Sequence, residues 1–189
     1  MSRGACTTAS IADLLPIAYT ERTLDRMVER VDRVQTLLGR QILMENPSTY
    51  LVPAESEMDE VDFLNQLATR SGCGLLIDLT NVHVCAHNHQ FDPFDYLDRL
   101  PWALVGEIHV AGCTPDPGTD GRILIDTHRG LPPEPVLAML PEMAARAGNA
   151  PILFEWDSDV PDWAEMDVAR RVVANAAREA MMVDHAVYA

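Results

Sequence analysis

Every predicted strand of this sequence ends in a side chain that can bind a metal ion. The residues concerned are Glu45, Asp78 with Asn81, His109, Asp126 with His128, and Glu155. Carboxylates, amides and imidazoles are common ligands of divalent and trivalent cations. Four carboxylates brought together raise one another's pKa, and a cation relieves that repulsion because it neutralises several ligands at once. Seven ligands exceed the roughly six that one ion accommodates, so the pattern predicts a site for more than one metal.

Each residue also has an ordinary structural explanation. A single Asp or Glu after a strand is commonly a helix cap or turn former, so Asp78 could cap the following turn and Asn81 could form an Asx-turn. His109 alone fits a buried core histidine equally well. The joint placement favours the metal site. Its strongest local part is Asp126-Thr-His128, because alternate residues of an extended strand point the same way.

A second histidine cluster follows the second predicted strand, in the segment HVCAHNH. It comprises His83, His87 and His89, and we predict that the segment is a loop. Two hypotheses stay open for it: a further metal or substrate contact, or a solvated loop rich in histidine.

The elements that must position these ligands are short apolar runs alternating with amphipathic segments. Apolar residues at helical spacing, with their capping residues, predict helices over 24–38, 59–71, 92–97, 135–147 and 162–181. Short apolar runs predict strands over 41–45, 74–80, 104–110, 123–125 and 151–154. Such alternation indicates an α/β fold with a parallel sheet, in which the strands' carboxyl ends face one shared site. An open doubly wound sheet and a barrel are both compatible with it.

Composition limits the classes of protein to which the chain can belong. Its 189 residues are 48% hydrophobic and carry 29 acidic against 14 basic side chains, a net charge of −15. The apolar fraction excludes global disorder, and the length predicts a single domain over residues 1–189. The acidic balance disfavours nucleic acids and anionic membranes as partners, since both require clustered Lys and Arg.

The sequence contains no apolar run of the roughly 20 residues that span a bilayer, and its amino terminus does not resemble a signal peptide. The four cysteines are too dispersed to indicate a disulfide framework, so we expect reduced thiols. We therefore predict a cytoplasmic protein.

Several segments together resemble the multinuclear non-haem iron-dependent oxidative enzymes, long described as domain-of-unknown-function family 692. They are DLLPIAYTERTLD, RVQTLLGRQILMENPSTYL, SGCGLLIDLTNVHV, NHQFDP, GEIHVAG and LIDTH. The resemblance extends from about residue 13 to about residue 159, and the combination of ENPS, DxxN, IHxAG and IDTH is specific. Membership implies a TIM barrel of the xylose-isomerase-like kind, with two or three iron ions at the mouth formed by the carboxyl ends of the strands.

The resemblance also implies a role for each ligand. Glu45 would bridge two ions, and Glu45, Asp78 and His109 are the implied catalytic residues. The implied ligands that complete the second ion are Asp78, His109 and Glu155. Those that hold the third are Asn81, Asp126 and His128.

The chain departs from the family pattern in several places. Thr80 stands where Asn is usual, and His83 stands where an aromatic residue is common. The family's first metal takes two histidines from earlier strands, and these have no counterpart here. We therefore expect an N-terminally truncated barrel with about strands four to eight and their helices. At 189 residues the chain is shorter than the roughly 250 of a closed barrel, so its sheet edges should be exposed or covered by another chain.

The function that the resemblance implies is iron- and O₂-dependent oxidative modification of cysteine residues in a ribosomally synthesised peptide. The implied partners are a cysteine-containing precursor peptide and a protein that binds its leader. Two alternatives stay open: a metal-dependent isomerase or hydrolase on the same barrel, and an inactive remnant without the first metal's histidines.

Overall fold

The computed structural model describes residues 15–186, which form a parallel sheet flanked by helices and a separate antiparallel ribbon. The strands are β1 (Leu43–Glu45), β2 (Gly74–Asp78), β3 (Val105–Ala111), β4 (Cys113–Pro115), β5 (Leu124–Asp126) and β6 (Ile152–Glu155). All neighbours in the sheet β1-β2-β3-β6 are parallel, whereas β4 and β5 pair antiparallel. Among the described residues, β1 and β6 are the edge strands of the sheet.

The α-helices of the described chain are α1 (Glu21–Leu38), α2 (Glu60–Ser71), α3 (Leu79–His89), α4 (Pro93–Asp98), α5 (Glu134–Ala147) and α6 (Trp163–Ala186). Five of these were predicted. Their boundaries follow from local chemistry: Thr20 and Asp59 cap α1 and α2 by accepting hydrogen bonds from backbone N–H groups. Both helices end where Gly39 and Gly72 adopt the left-handed conformation that glycine tolerates best.

The helix α3 corrects the prediction of a loop for the segment that contains His83, His87 and His89. Asp78 caps this helix by accepting a hydrogen bond from the backbone N–H of Asn81. Hydrophobic residues of α3, among them Leu79 and Val82, are buried in the core. The polar residues between them conceal this helical spacing in the sequence.

The fourth predicted strand is also placed differently from the expectation. It forms β5, but β5 belongs to the ribbon with β4, so β3 and β6 are direct neighbours in the parallel sheet. The reason is chain length: parallel strands require a crossover of about a dozen residues or more, usually helical. The segment between β3 and β5 instead reverses through a single 3₁₀ turn at Pro117–Thr119.

The core lies between the sheet and its helices. Leu75, Ile77, Ile108 and Val110 of the central strands are completely buried, and apolar side chains of α1, α2 and α5 pack in the same cluster. Central strands buried on both faces are typical of parallel sheets.

Two expectations from composition can be compared with the structure. Cys73, Cys85 and Cys113 are free thiols, while Cys6 lies outside the described residues. Within residues 15–186, none of the helices is both long enough and apolar enough to cross a bilayer.

Candidate metal centre

The carboxyl ends of the parallel strands bring three of the predicted ligands together. In the register of β2 and β3, Asp78 lies directly beside His109, and Glu45 ends the neighbouring strand β1. One ligand atom from each of Glu45, Asp78 and His109 lies within 4.8 Å of the others. Asp78 and His109 are buried, whereas Glu45 is exposed, so this group is open to solvent on the β1 side.

A second group shares Asp78 with the first. One ligand atom from each of Asp78, His128 and Glu155 lies within 4.8 Å of the others. Glu155 connects the two groups, because its Oε1 is 3.3 Å from His109 Nδ1 and its Oε2 is 3.2 Å from His128 Nδ1. Asp78 is the residue common to both groups, whereas the resemblance assigned the bridging role to Glu45.

The remaining two predicted ligands adjoin this cluster. Asp126 Oδ1 lies 3.2 Å from His128 Nε2, and Asn81 follows Asp78 by one helical turn. The pairing of Asp126 with His128 was predicted, but the reason given for it is wrong. The strand β5 ends at Asp126, and His128 adopts a left-handed backbone with φ of 46°. The loop beyond the strand, not strand alternation, turns the imidazole back towards the carboxylate.

Buried atoms without hydrogen-bond partners indicate what the cluster can accommodate. Among the described residues, the buried side-chain polar atoms that lack a hydrogen bond include Asp78 Oδ2, Asn81 Oδ1, His109 Nδ1 and Asp126 Oδ1. His109 Nδ1 and Asp126 Oδ1 each have an ion-pair contact, with Glu155 and His128 at 3.3 and 3.2 Å. An unsatisfied buried polar atom costs about 1–3 kcal/mol, so Asp78 Oδ2 and Asn81 Oδ1 in particular require an explanation. All four atoms are oxygen or nitrogen donors that a cation can bind. The residues present therefore fit one or more metal ions of the kind that the sequence predicts.

The scaffold that orients these donors includes residues that the sequence analysis missed. Asn46 Nδ2 donates to the carbonyl of Asp78, and Asn46 Oδ1 accepts from the N–H of the same residue, at 3.1 and 2.8 Å. The carbonyl of Asn46 accepts from Asn81 Nδ2 at 2.9 Å, which leaves Asn81 Oδ1 unpaired. Thr80 similarly exchanges two hydrogen bonds with the backbone of Ala111, so this departure from the family pattern joins α3 to the end of β3.

Further residues outside the predicted set contact its ligands, among them Asp157, whose Oδ2 lies 3.3 Å from His128 Nδ1. Glu107, two residues before His109 on β3, places Oε1 3.3 Å from His109 Nε2. Ser48 Oγ donates to Asp126 Oδ2 at 3.2 Å, and the backbone N–H of Asp126 donates to the Tyr50 hydroxyl at 3.1 Å. Alternation along β3 could have identified Glu107, since it lies on the same face as His109. Nothing in the sequence identifies the contacts of Ser48 and Tyr50, which are 78 and 76 residues from Asp126.

The electrostatics of the cluster follow from burial and crowding. Burial raises the pKa of Asp78 to about 6, and the neighbouring carboxylates of Asp126 and Glu45 raise it as well. Burial also raises the pKa of Glu45. The contact with Asp126 raises the pKa of His128 to about 9. Without a cation, therefore, the cluster binds protons more tightly than its isolated residues would.

The second histidine cluster does not join this centre. His89 Nε2 lies 2.9 Å from Thr49 Oγ1, and His87 Nε2 lies 3.2 Å from the carbonyl of Arg122. Burial lowers the pKa of His83. Among the described residues, no candidate metal-binding group contains any of the three histidines. Hydrogen bonds within the fold account for His87 and His89.

Proteins of similar sequence are known from several bacteria. The chain is 47% identical over 152 residues to a UPF0276 protein of Rhizobium meliloti (strain 1021), an alignment that covers 80% of this chain and 49% of the relative. It is 48% identical over 163 residues to a UPF0276 protein of Caulobacter vibrioides (strain NA1000 / CB15N), covering 86% of this chain and 58% of the relative. The chain thus spans about half the length of the curated relatives it matches.

Comparison with solved structures identifies the fold. A xylose isomerase domain containing protein from Salmonella typhimurium LT2 superimposes with a TM-score of 0.59 at 19% identity, covering 88% of this chain and 62% of that one. At this identity the likeness shows the fold alone, which is α/β of the xylose-isomerase-like TIM-barrel type, as predicted.

The family follows from a match over nearly the whole chain. Residues 2–178 match the model described as RiPP precursor modification enzyme MbnB/TglH/ChrH. RiPPs are ribosomally synthesised and post-translationally modified peptides, which agrees with the resemblance found in the sequence motifs. The chain therefore belongs to the MbnB/TglH/ChrH family of RiPP precursor modification enzymes.

Proposed function

We propose that this chain carries a multinuclear iron site that performs O₂-dependent oxidation of cysteine residues in a ribosomally synthesised precursor peptide. The observation that supports this proposal most strongly is the convergence of predicted ligands at the ends of the strands, with four buried donor atoms that lack a hydrogen bond. The family supplies the substrate class, a precursor peptide. Iron, oxygen and cysteine specificity are the parts that the proposal adds.

The ligand set suits iron. Carboxylate and imidazole ligands of this kind hold iron in many oxygen-dependent enzymes. Glu45, Asp78 and His109 would hold one ion, and Asp78, His128 and Glu155 a second. Asn81 and Asp126 would contribute the remaining donors. Bound iron would supply the redox chemistry with O₂ and an attachment point for the substrate thiolate.

The side chains of the protein determine how the substrate approaches. Asp78, Asn81 and His109 are buried beneath the site, while Glu45 is exposed. In this chain the centre is therefore most accessible to a cysteine side chain from the Glu45 side. On the opposite side, burial excludes water and strengthens electrostatic interactions at the ligands.

Two histidines at the centre hold protons at defined ring nitrogens. His109 is 3.3 Å from Glu107 through Nε2, which leaves Nδ1 as the nitrogen that faces Glu155 and the centre. His128, whose pKa is raised to about 9, holds a proton near neutral pH between Asp126 and Glu155 until a cation displaces it.

A protein that binds the leader of the peptide is the second partner that we propose.

Metal analysis and turnover test this function together. Protein purified and reconstituted with ferrous iron under anaerobic conditions should retain at least two irons per chain. Adding O₂ and a cysteine-containing precursor peptide should change the mass of the peptide and consume O₂. Glu45→Gln should lose iron and most turnover, whereas Glu29→Gln, an exposed change on α1, should lose neither.

The alternatives give different results in the same experiment. Turnover with zinc, manganese or magnesium and without O₂ consumption would indicate an isomerase or hydrolase on the same barrel. A chain that binds no metal and modifies no peptide would indicate an inactive remnant. Full iron content and full turnover in Glu45→Gln would contradict the role of Glu45.

A further inference from the structure

A second concave site lies beside the metal centre. We call it the α2–α4 cavity: it is about 330 Å³ and is lined by the loop after β1, by α2 and α4, by the end of α3 and by residues just before α1. Its walls include Leu51, Val52 and Phe91, which are 63%, 68% and 37% exposed. Exposed apolar side chains that converge on a cavity indicate a binding site more strongly than the same residues scattered over the surface.

The charges of the α2–α4 cavity are unbalanced. Four carboxylates line it, those of Asp59, Glu60, Asp92 and Asp95, against the guanidinium of Arg99. Arg99 is already paired, since it lies 2.7 Å from Asp59 and 2.8 Å from Asp62 outside the cavity. Excess negative charge therefore faces the cavity.

Aromatic rings surround the innermost of these carboxylates. Glu60 accepts hydrogen bonds from the hydroxyls of Tyr19 and Tyr96 at 2.5 and 2.7 Å. The ring of Tyr96 stacks on Phe91 with centroids 5.9 Å apart. Two hydroxyl donors thus already bond Glu60, and the exposed carboxylates of Asp92 and Asp95 are the ones that an entering cation can pair with.

The loop after β1 connects this cavity to the metal centre. Ser48 and Tyr50 contact Asp126, whereas Thr49 and Leu51 line the α2–α4 cavity. Consecutive residues of one short segment thus face the two sites alternately. The metal centre and the α2–α4 cavity are therefore adjacent, on opposite sides of this segment.

We propose that the α2–α4 cavity binds a basic side chain of the precursor peptide, flanked by apolar residues. This inference rests on the proposed function for the identity of the peptide. Charge complementarity selects the occupant: an anionic segment would be repelled, and a purely apolar one would leave the carboxylates without a counter-charge. A basic residue between apolar neighbours satisfies both the walls and the carboxylates of the cavity.

A binding measurement that requires neither iron nor O₂ tests the proposal. The probe is a fluorescein-labelled synthetic peptide, Gly-Ser-Leu-Arg-Leu-Ser-Gly, measured by fluorescence anisotropy with the metal-free chain at low salt. A second peptide carries neutral citrulline in place of arginine. The arginine peptide should bind about tenfold more tightly, the factor typical of one charge-assisted hydrogen bond.

Matched charge reversals separate the cavity from the general acidity of the chain. Asp95→Lys changes an exposed carboxylate of the cavity, and Asp32→Lys makes the same change at an exposed position of α1 that does not line it. Asp95→Lys should weaken binding of the arginine peptide about tenfold and leave the citrulline peptide unaffected. Asp32→Lys should change neither affinity. Thermal unfolding of both variants verifies that they are folded.

Three results would overturn the proposal. They are failure of both peptides to bind, equal affinity of the two peptides, and an equal effect of Asp95→Lys and Asp32→Lys. Because the measurement omits metal and oxygen, these results leave the proposed oxidation untouched. Conversely, failure of the chain to bind iron or to turn over would not alter the affinities of the two peptides.

Discussion

Asp78 and Asn81 share one hydrogen bond that leaves half of the Asp78 carboxylate free. Oδ1 of Asp78 accepts from the backbone N–H of Asn81 at 2.9 Å, while Oδ2 is buried and has no hydrogen-bond partner. The capping explanation and the metal-ligand explanation of this residue are therefore compatible. One oxygen starts α3, and the other faces the centre.

The capping role of one oxygen and the metal-binding role of the other can be separated with Asp78→Asn. Asparagine is an equally good helix cap, so the metal-free variant should keep its α-helix content by circular dichroism. The charge on the metal side is lost, and affinity for ferrous or zinc ions should fall by at least about tenfold. Competition with a chromophoric chelator measures that affinity. Asp162→Asn, at an exposed cap of α6, is the control, and unchanged metal affinity in Asp78→Asn would exclude Asp78 as a ligand.

Glu107 provides a second test, because it orients a ligand without belonging to the predicted ligand set. With Nε2 of His109 bonded to Glu107, the opposite nitrogen faces the centre. Partners of this kind typically contribute 10–100-fold to metal affinity, so Glu107→Ala should lower affinity by about that factor. Glu107→Gln keeps an acceptor and should recover part of the loss.

The tautomer of His109 shows whether Glu107→Ala releases the orientation of His109 or only destabilises the fold. Nitrogen NMR shifts of the metal-free protein should show the proton on Nε2 in the wild type and a mixture of tautomers in Glu107→Ala. Glu29→Ala, an exposed change on α1, should affect neither affinity nor tautomer. A wild-type tautomer in Glu107→Ala would show that Glu107 does not set the orientation of His109.

The positions of the ligands were predictable because strand ends can be recognised in sequence. Short apolar runs that end in Glu45, Asp78, His109 and Glu155 correspond to β1, β2, β3 and β6. Parallel pairing then places those ends at one edge of the sheet, so the convergence follows from topology. The local geometry of each residue is not required for that prediction.

The contacts that support the ligands could not be predicted in this way. Asn46 and Thr80 are ordinary turn and cap formers in sequence, and only the three-dimensional arrangement shows that each exchanges two hydrogen bonds with a neighbouring backbone. The placement of β5 was missed for a different reason. An apolar run of three residues does not specify whether its partner is parallel or antiparallel, and the short connection at Pro117–Thr119 decides it.

Glu60 predicts a distinctive dependence of stability on pH. Burial raises its pKa above the usual 4.5, although the hydroxyls of Tyr19 and Tyr96 oppose the shift. A raised folded-state pKa means that the contribution of Glu60 to stability is complete below about 4.5 and is lost as pH rises through the folded value. Glu60→Gln keeps a group that can bond both tyrosines and removes the charge.

The free energy of unfolding of Glu60→Gln should therefore increase relative to the wild type as pH rises from 4.5. The increase is about 1.4 kcal/mol for each unit by which the pKa is raised. Urea unfolding of the metal-free proteins at a series of pH values measures the difference. Glu29→Gln should show a difference that does not vary with pH, and a constant difference for Glu60→Gln would show that burial does not perturb Glu60.

Gly112 links the end of β3 to the loop that carries His128. A Cβ at this position would lie 1.9 Å from the carbonyl oxygen of Arg129 and 2.8 Å from that of Gly130. Both atoms belong to the backbone, so the loop would have to move. Overpacking of this kind costs about 1–3 kcal/mol, and the movement would also displace His128 from Glu155 and Asp126.

Gly112→Ala should accordingly lower both the free energy of unfolding and the affinity for metal. Gly118→Ala is the matched control, because its Cβ would meet only the carboxylate of Asp116, with the nearest oxygens at 3.4 Å, an ordinary contact. Urea unfolding and chelator competition on both variants measure the two effects separately. If Gly112→Ala lost stability but retained full metal affinity, the position of His128 would not depend on this close backbone contact, and the carboxylates of Asp126, Glu155 and Asp157 would suffice to hold its imidazole.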